Sequence, residues 1–350
     1  MKLKIGKWLD NSGPENDVVL STRIRFARNL KNIPFEIKAS QADQISVLEM
    51  VGYALEDLDL LKTGKLLNSQ DLTLLYTQYL LERHLVSPDF AGSKLRHALY
   101  VDDDETLSMM VNEEDHIRYQ VIASGLDFAG SLNRIVEFDD KLESELDFAY
   151  SADLGFLTAC PTNVGTGMRA SVLIHLPGLV LTKEIEKVLR GVIQIGLAVR
   201  GLYGEGTETK GNFFQVSNQQ SLGRSETEII EILDKAVRQV IQYERKAREY
   251  LGQNVKLEIE DKVYRAEAIL KSARIITSEE TMNFLGILRL GVIMAMIAEV
   301  DLKTINELMI ITKPANLQIF YNQEMEPNER DEKRASLIRN RLLNREKPNG

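Results

Sequence analysis

Apolar positions recur in short alternating runs through the first two thirds of the chain and at helical spacing afterwards; the change falls near residue 225. Runs at 17–24, 98–101, 106–112, 155–159, 170–175 and 213–217 predict strands, with helices at 41–61 and 182–196 between them. Ser225 followed by Glu228 forms a capping-box pattern that opens a long helix over 225–251, with Gly252 as its stop. Helices are then expected at 257–273, 278–299 (Thr277 with Glu280 as a second capping box), 301–312 and 328–345. The pattern predicts an α+β fold: a domain over 1–250 built on a mostly antiparallel sheet, followed by an all-helical domain over 251–350.

Composition narrows the class. The chain has 350 residues, 44% of them hydrophobic and 27% charged, enough for a sizeable core and two domains. A single cysteine excludes an internal disulfide and fits a reducing compartment. The N-terminal residues carry no signal-peptide core, and the greasiest run, 290–300, is too short to span a bilayer. A cytoplasmic protein without membrane attachment is therefore expected. A net charge of −9 argues against a direct grip on nucleic acid, so any local cluster of arginines in so acidic a chain calls for another anion.

Such clusters exist. Arg23 and Arg25 alternate on one strand face and repel each other unless an anion lies between them; a protected edge strand is the alternative. Arg169 follows a Gly165-Thr166-Gly167 turn, and Arg200 precedes Gly201. Planar guanidinium forks suit phosphate oxygens. Glu113, Glu114 and Asp115 are consecutive carboxylates at the end of the 106–112 run, an arrangement that is costly unless neutralised, or else a solvated acidic turn. Glu205 sits between glycines in a segment suited to closing over a substrate. The stretch from Cys160 to Arg169 reads as a turn between strands at 155–159 and 170–175. No P-loop, protein-kinase or dinucleotide motif is present, and one cysteine with four scattered histidines argues against zinc.

Four motifs in order, Ser21-Thr22-Arg23-Ile24-Arg25, Asn112-Glu113-Glu114-Asp115-His116-x-Arg118, Cys160-Pro161-Thr162-Asn163-x-Gly165-Thr166-Gly167-x-Arg169 and Arg200-Gly201 with Glu205, resemble the phosphagen (guanidino) kinase family. The resemblance implies transfer of the γ-phosphoryl group of ATP, with Mg²⁺, to a guanidinium nitrogen. It implies that Arg23, Arg25, Arg118, Arg169 and Arg200 clamp the phosphates and that His84 contacts the nucleotide. Flanking residues Ser21, Thr22, Ile24, Ala170, Ser171, Val172, Leu173, Gly201, Leu202, Tyr203 and Gly204 complete the nucleotide-binding segments. Glu114 and Glu205 resemble the carboxylate pair that grips the guanidinium, Cys160 the thiol beside it, and Glu113 and Asp115 the acidic rim on the substrate side. Whether Cys160 works as a thiolate or as a small packing residue stays open.

Small-molecule members of that family carry an extra helical domain ahead of the Ser-Thr-Arg strand, whereas 20 residues precede Ser21 here and the additional sequence follows the kinase motifs. This departure is similar to the bacterial protein-arginine kinases (the McsB type), whose substrate is an arginine within a protein. Arg330, Asp331, Arg334 and Ala335 then resemble a phosphoarginine-binding motif. Locally, Asn328 reads as an N-cap, with Asp331 at the third helical position. The resemblance further implies a homodimer through the helical domain, a role in stress response, and contacts with activators and a protease-chaperone. A phosphoarginine-reading adaptor and a small-guanidine kinase are the alternative readings.

Overall fold

The computed structural model describes residues 5–93, 95–201 and 210–343. Ten strands are formed: β1 Val19–Arg28, β2 Gly64–Asn68, β3 Ala98–Asp102, β4 Leu107–Val111, β5 Ile117–Ser124, β6 Tyr150–Ser151, β7 Gly155–Phe156, β8 Met168–His175, β9 Leu197–Gly201 and β10 Phe213–Asn218. Eight of them make one sheet in the order β2-β3-β4-β5-β1-β8-β10-β9, antiparallel at every pairing. Around it lie α1 Gln41–Asp57, α2 Leu74–Glu82, α3 Pro88–Gly92, α4 Phe128–Glu145, α5 Pro177–Leu181, α6 Ile185–Gln194 and α7 Glu226–Asn254. The C-terminal helices are α8 Lys256–Ser272, α9 Ser278–Ile293, α10 Leu302–Ile311, α11 Pro314–Tyr321 and α12 Pro327–Leu342.

Strand alternation explains why the sheet has two unlike faces. On β1, Ile24 and Phe26 point with Tyr119 and Val121 of β5, Ala170 and Val172 of β8, and Val216 of β10 into a core closed by α1, α4 and α7. The intervening residues, Arg23 and Arg25, share the opposite face with Arg118 and Gln120 of β5 and with Arg169 and Ser171 of β8. Register puts Arg25 directly across from Arg169 and from Gln120. Covering the basic face is therefore left to other parts of the chain, and the C-terminal helices supply part of that cover.

A second core links them to the sheet: Leu20, Ile122, Leu173 and Phe213 pack with Trp8, Leu285, Leu288, Ile305 and Leu337. Gly286 of α9 meets the Lys210–Asn212 turn so closely that a Cβ would lie 2.5 Å from the Gly211 carbonyl oxygen. The buried Arg289 donates to the carbonyl of Asn16 and to Asn306 Oδ1, tying α9 and α10 to the N-terminal segment. No helix of the described residues is long and apolar enough to cross a membrane.

Several boundaries move. Both capping boxes form as the sequence indicates, but α7 runs through Gly252 to Asn254, where a side chain would meet only Met294 at 3.5 Å. The 278–299 helix ends at Ile293, and 41–61 closes at Asp57. Residues 155–175 do not form a hairpin: β7 pairs with β6, whereas β8 enters the main sheet between β1 and β10. The last helix starts at Pro327 with Glu326 as N-cap, so Asn328 lies inside it and Asp331 falls beyond the first turn.

Candidate active site

The basic face borders a cleft of about 680 Å³, lined by Arg23, Arg25, Arg118, Arg169, Arg200 and His84. Five guanidinium groups in one cleft are electrostatically costly. Burial and the neighbouring charges of Arg23, Arg118 and Arg169 hold Arg25 well below its ordinary pKa, and its Nε is buried without a partner. Arg169 is lowered by burial and by Arg200 and Arg118; it donates to Ser217 Oγ at 3.2 Å, while its buried Nε has no partner. Such a cluster is a site for a polyanion, because an incoming anion removes the repulsion and fills the vacant donors.

Arg118 is held differently. Glu113 is 6% exposed and accepts both contacts from Arg118 Nη1, at 3.0 and 2.9 Å, and a hydrogen bond from Ser87 Oγ. Burial pushes the Glu113 carboxyl up, but Arg118 and these hydrogen bonds outweigh it and leave it lowered. Glu113 thus holds Arg118 in a buried ion pair rather than standing on an open acidic rim.

Asp115 is likewise engaged within the fold. It is fully buried, and its Oδ1 accepts from Asn29 Nδ2 and from the Ala159 backbone N–H, both at 2.6 Å. Asn29 also donates to the Leu157 carbonyl at 3.0 Å. These bonds dock the loop bearing Cys160 beside the turn between β4 and β5. His116 completes the dock: its Nδ1 accepts from the Leu30 N–H and its Nε2 faces the Pro34 carbonyl at 2.9 Å.

Of the three adjacent carboxylates, Glu114 alone is exposed. Its backbone N–H donates to Glu113 Oε2 at 3.2 Å, which fixes the turn that presents it. Burial, and then Asp115, raise its pKa; Arg118 partly opposes them. A carboxylate held up in this way suits proton transfer. Cys160 is half-buried, its Sγ 3.1 Å from Thr162 Oγ1. Its loop is pinned by Ser221 Oγ, which donates to the carbonyls of Thr162 and Val164, and by Arg28 Nη1 on the Thr166 carbonyl. Gly167 lies at φ +67, and a Cβ there would lie 2.6 Å from the Ala27 carbonyl oxygen, so the turn into β8 requires glycine.

Not every predicted residue reaches the cleft. Ser171 and Leu173 share the face of Arg169, whereas Ala170 and Val172 face the core, as does Ile24. Thr22 is buried, donating to the Gly125 carbonyl and accepting from the Asp127 N–H. Strand alternation turns these side chains away from the cleft. Ser21 lies at a small cavity of about 30 Å³ adjoining Arg23 and His84. Gly201 ends β9, while Leu202, Tyr203, Gly204 and Glu205 lie outside the described residues. His84, at φ +63, has its pKa driven well down by burial and by Lys313 and Arg23, so its imidazole is neutral.

The C-terminal motif divides in two. Arg334 is 1% exposed: Nε donates to the Thr312 carbonyl at 2.8 Å, Nη1 to the Ile276 carbonyl at 2.9 Å, and Nη1 pairs with Asp331. Ala335 is buried beside it. Both sit within the helical core, whereas Arg330 and Asp331 are half-exposed. Sequence reasoning missed two cleft cations, Lys210 and Lys313. Only the Lys313-Pro314 helix start was locally visible, and nothing in it says which way the lysine points.

Two family models match: the C-terminal catalytic domain of ATP:guanido phosphotransferases over residues 46–247, and the protein-arginine kinase McsB C-terminal domain over 256–350. A protein-arginine kinase of Symbiobacterium thermophilum is 46% identical over 96% of each chain. One of Bacillus cereus is 44% identical over 98% of this chain and 97% of its own. A duplicated taurocyamine kinase from Schistosoma mansoni, solved with bound transition-state-analogue components, is 26% identical with a TM-score of 0.60, covering 70% of this chain and 35% of that one. A lombricine kinase at 23% identity and TM-score 0.59 covers 70% and 69% respectively and shares the fold.

Proposed function

Since the chain belongs to the ATP:guanido phosphotransferase family, in its protein-arginine kinase branch, and phosphorylates protein arginines with ATP, we propose that its basic sheet face clamps the triphosphate while Glu114 orients and deprotonates the acceptor arginine. The observation that carries this reading is the crowding of Arg23, Arg25, Arg118, Arg169 and Arg200 on one cleft, with buried donors on Arg25 and Arg169 left vacant. In phosphoryl transfer, positioning and charge neutralisation supply most of the catalysis. Mg²⁺ fits this site as a passenger on the phosphate oxygens of ATP, since the surrounding side chains are mainly cationic and repel a bare metal ion.

An acceptor guanidinium nitrogen attacks the γ-phosphorus, the bond to the β–γ bridging oxygen breaks, and ADP leaves. A carboxylate cannot strip the guanidinium beforehand: the ordinary pKa gap of roughly 8–9 units corresponds to about 11–13 kcal/mol. Glu114 instead takes the proton as the P–N bond forms, when the nitrogen becomes acidic. Glu205 is proposed as its partner carboxylate. Cys160, whose loop is docked beside the β4–β5 turn through Asp115, is proposed to accept an N–H of the substrate at its sulfur. In the helical domain, Arg330 and Asp331 form the accessible part of a product-binding site supported from beneath by Arg334. Leu257 and Tyr264, exposed seven residues apart on α8, support a homodimer contact there.

Arg169→Ala tests the clamp. It raises the Kd for Mg-ATP by ~10-fold or more, the scale of one charge-assisted contact, and leaves the melting temperature without nucleotide unchanged or higher, because a repulsive partner is removed. Intact ATP binding combined with a lower melting temperature would make Arg169 a structural residue instead.

A further inference from the structure

The arginine face lines the cleft together with the C-terminal helices, through Ser278, Glu279 and Met282 at the start of α9 and Lys313 and Pro314 at the start of α11. Lys313 stands out among them. It is 6% exposed, and its Nζ donates to the backbone carbonyl of Glu82 at 3.0 Å. Burial lowers its pKa to about 8, with Glu82 pulling the other way. The same lysine acts together with Arg23 on His84, so it stands in the field of the arginine cluster.

Its position is fixed from both sides. The Glu82 carboxylate accepts from the N–H groups of Ala315 and Asn316 at 2.9–3.0 Å, capping α11 and locking it to the end of α2. Arg83 joins that lock through Asn316 Oδ1 at 3.2 Å while paired with the buried Glu105. From the far side, Arg334 Nε holds the Thr312 carbonyl, the residue before Lys313. The fold thus spends several buried polar contacts on holding one more cation at a cleft already crowded with cations. Glu82 is the nearby counter-charge, but with Lys313 the cleft lining carries more positive charge still, which an anion of several charges would neutralise on entering.

We propose that Lys313 is a nucleotide-binding residue whose ammonium contacts the polyphosphate together with the arginines, so that the C-terminal helical domain forms part of the ATP site. The proposal rests on the reading of this cleft as the ATP site. It makes the helical domain a participant in the nucleotide step, and any movement of α11 against α2 then changes ATP affinity.

The test uses the full chain and calorimetric titration with Mg-ATP and with adenosine. Lys313→Met raises the Kd for Mg-ATP by ~10- to 100-fold and leaves adenosine binding unchanged, the scale of one lost charge-assisted contact to phosphate. Lys313→Arg restores ATP binding to within a few-fold. Unchanged ATP affinity in Lys313→Met, or an equal loss for adenosine, would overturn the proposal.

A pH series on the unmodified chain decides the matter if the methionine variant fails to fold. The charged groups around Lys313 are Glu82, whose charge opposes its lowering, His84 and Arg23, Glu279 on the same cleft, and Arg83 and Arg334, bonded to Asn316 and Thr312 on either side of it. His84 is already neutral at pH 7. A lysine held near 8 contributes fully below that pH and is lost above it, so ATP affinity falls between about pH 7 and pH 9.5. That fall is abolished in Lys313→Arg. A flat profile in the unmodified chain contradicts the proposal. Arg169→Ala separates the two levels: ATP binding lost there but kept in Lys313→Met rejects Lys313 alone, whereas no ATP binding by the unmodified chain rejects the cleft assignment itself.

Discussion

Replacing Glu114 by glutamine lowers phosphoryl transfer by ~10² or more while ATP affinity stays within a few-fold, the scale expected for a lost, positioned base. The amide keeps the size of the side chain and its place on the β4–β5 turn, which is fixed by the backbone bond to Glu113 and by the burial of Asp115. What it removes is the negative charge and the proton acceptor. The raised pKa of Glu114, set by burial and then by Asp115, adds a second signature. The carboxylate is the working form, so transfer in the unmodified enzyme falls as pH drops through that raised value. The acid limb should vanish in Glu114→Gln, leaving a low, flat rate. Single-turnover formation of phosphoarginine, measured beside ATP binding, checks both parts; full activity of the variant removes Glu114 from the chemistry.

The second large effect is on stability. Arg334→Ala destabilises the chain by ~3–5 kcal/mol, because it strands a buried network rather than trimming a surface charge. The carbonyls of Thr312 and Ile276 lose their donor, Asp331 loses its partner, and a cavity opens under α12. Set against the 5–15 kcal/mol typical of a folded domain, such a loss is a large share of the total. Arg330→Ala removes one partly exposed bond to the Met325 carbonyl and costs about 1 kcal/mol or less. Thermal melts of the two variants, run side by side, check the contrast. It has a practical consequence: loss of phosphoarginine binding in Arg334→Ala does not locate a site, whereas the same loss in Arg330→Ala, with the fold intact, does.

The fold was legible where local chemistry decides it. Ser225 with Glu228 and Thr277 with Glu280 open α7 and α9 because a capping box satisfies its donors within a few residues. Gly252 misled because a long amphipathic helix packed along one side tolerates a glycine that touches almost nothing. The alternation of β5 lies at Ile117, Tyr119 and Val121, yet no strand was expected there, because Arg118 drew attention as chemistry rather than as the outer half of a strand.

The site was legible in the same uneven way. Arg23 and Arg25 on one face, and Arg169 opposite Arg25, follow from strand period once β8 is known to pair with β1. Three adjacent carboxylates carried no such information, since a tight turn sends them apart: Glu113 to Arg118, Glu114 to solvent, Asp115 to Asn29 and the Ala159 N–H. The burial of Arg334 was not legible because helix periodicity marks a face without saying whether it points to water or to the carbonyl ends of neighbouring helices. Lys313 lay beyond sequence reasoning altogether, for its role depends on which helix start the second core brings over the sheet.

Mass spectrometry under non-acidic conditions that preserve the P–N bond tests the central claim most directly. The full chain is incubated with Mg-ATP and either an arginine-containing protein or free arginine at the same guanidinium concentration. A protein-borne arginine adds backbone and side-chain contacts that help position the reacting nitrogen, and such remote binding is used in the transition state. The account predicts phosphoarginine on the protein, formed far faster than phosphorylated free arginine, and lost in Glu114→Gln. Phosphorylation of free arginine as fast as the protein, or of serine and threonine in place of arginine, would contradict it.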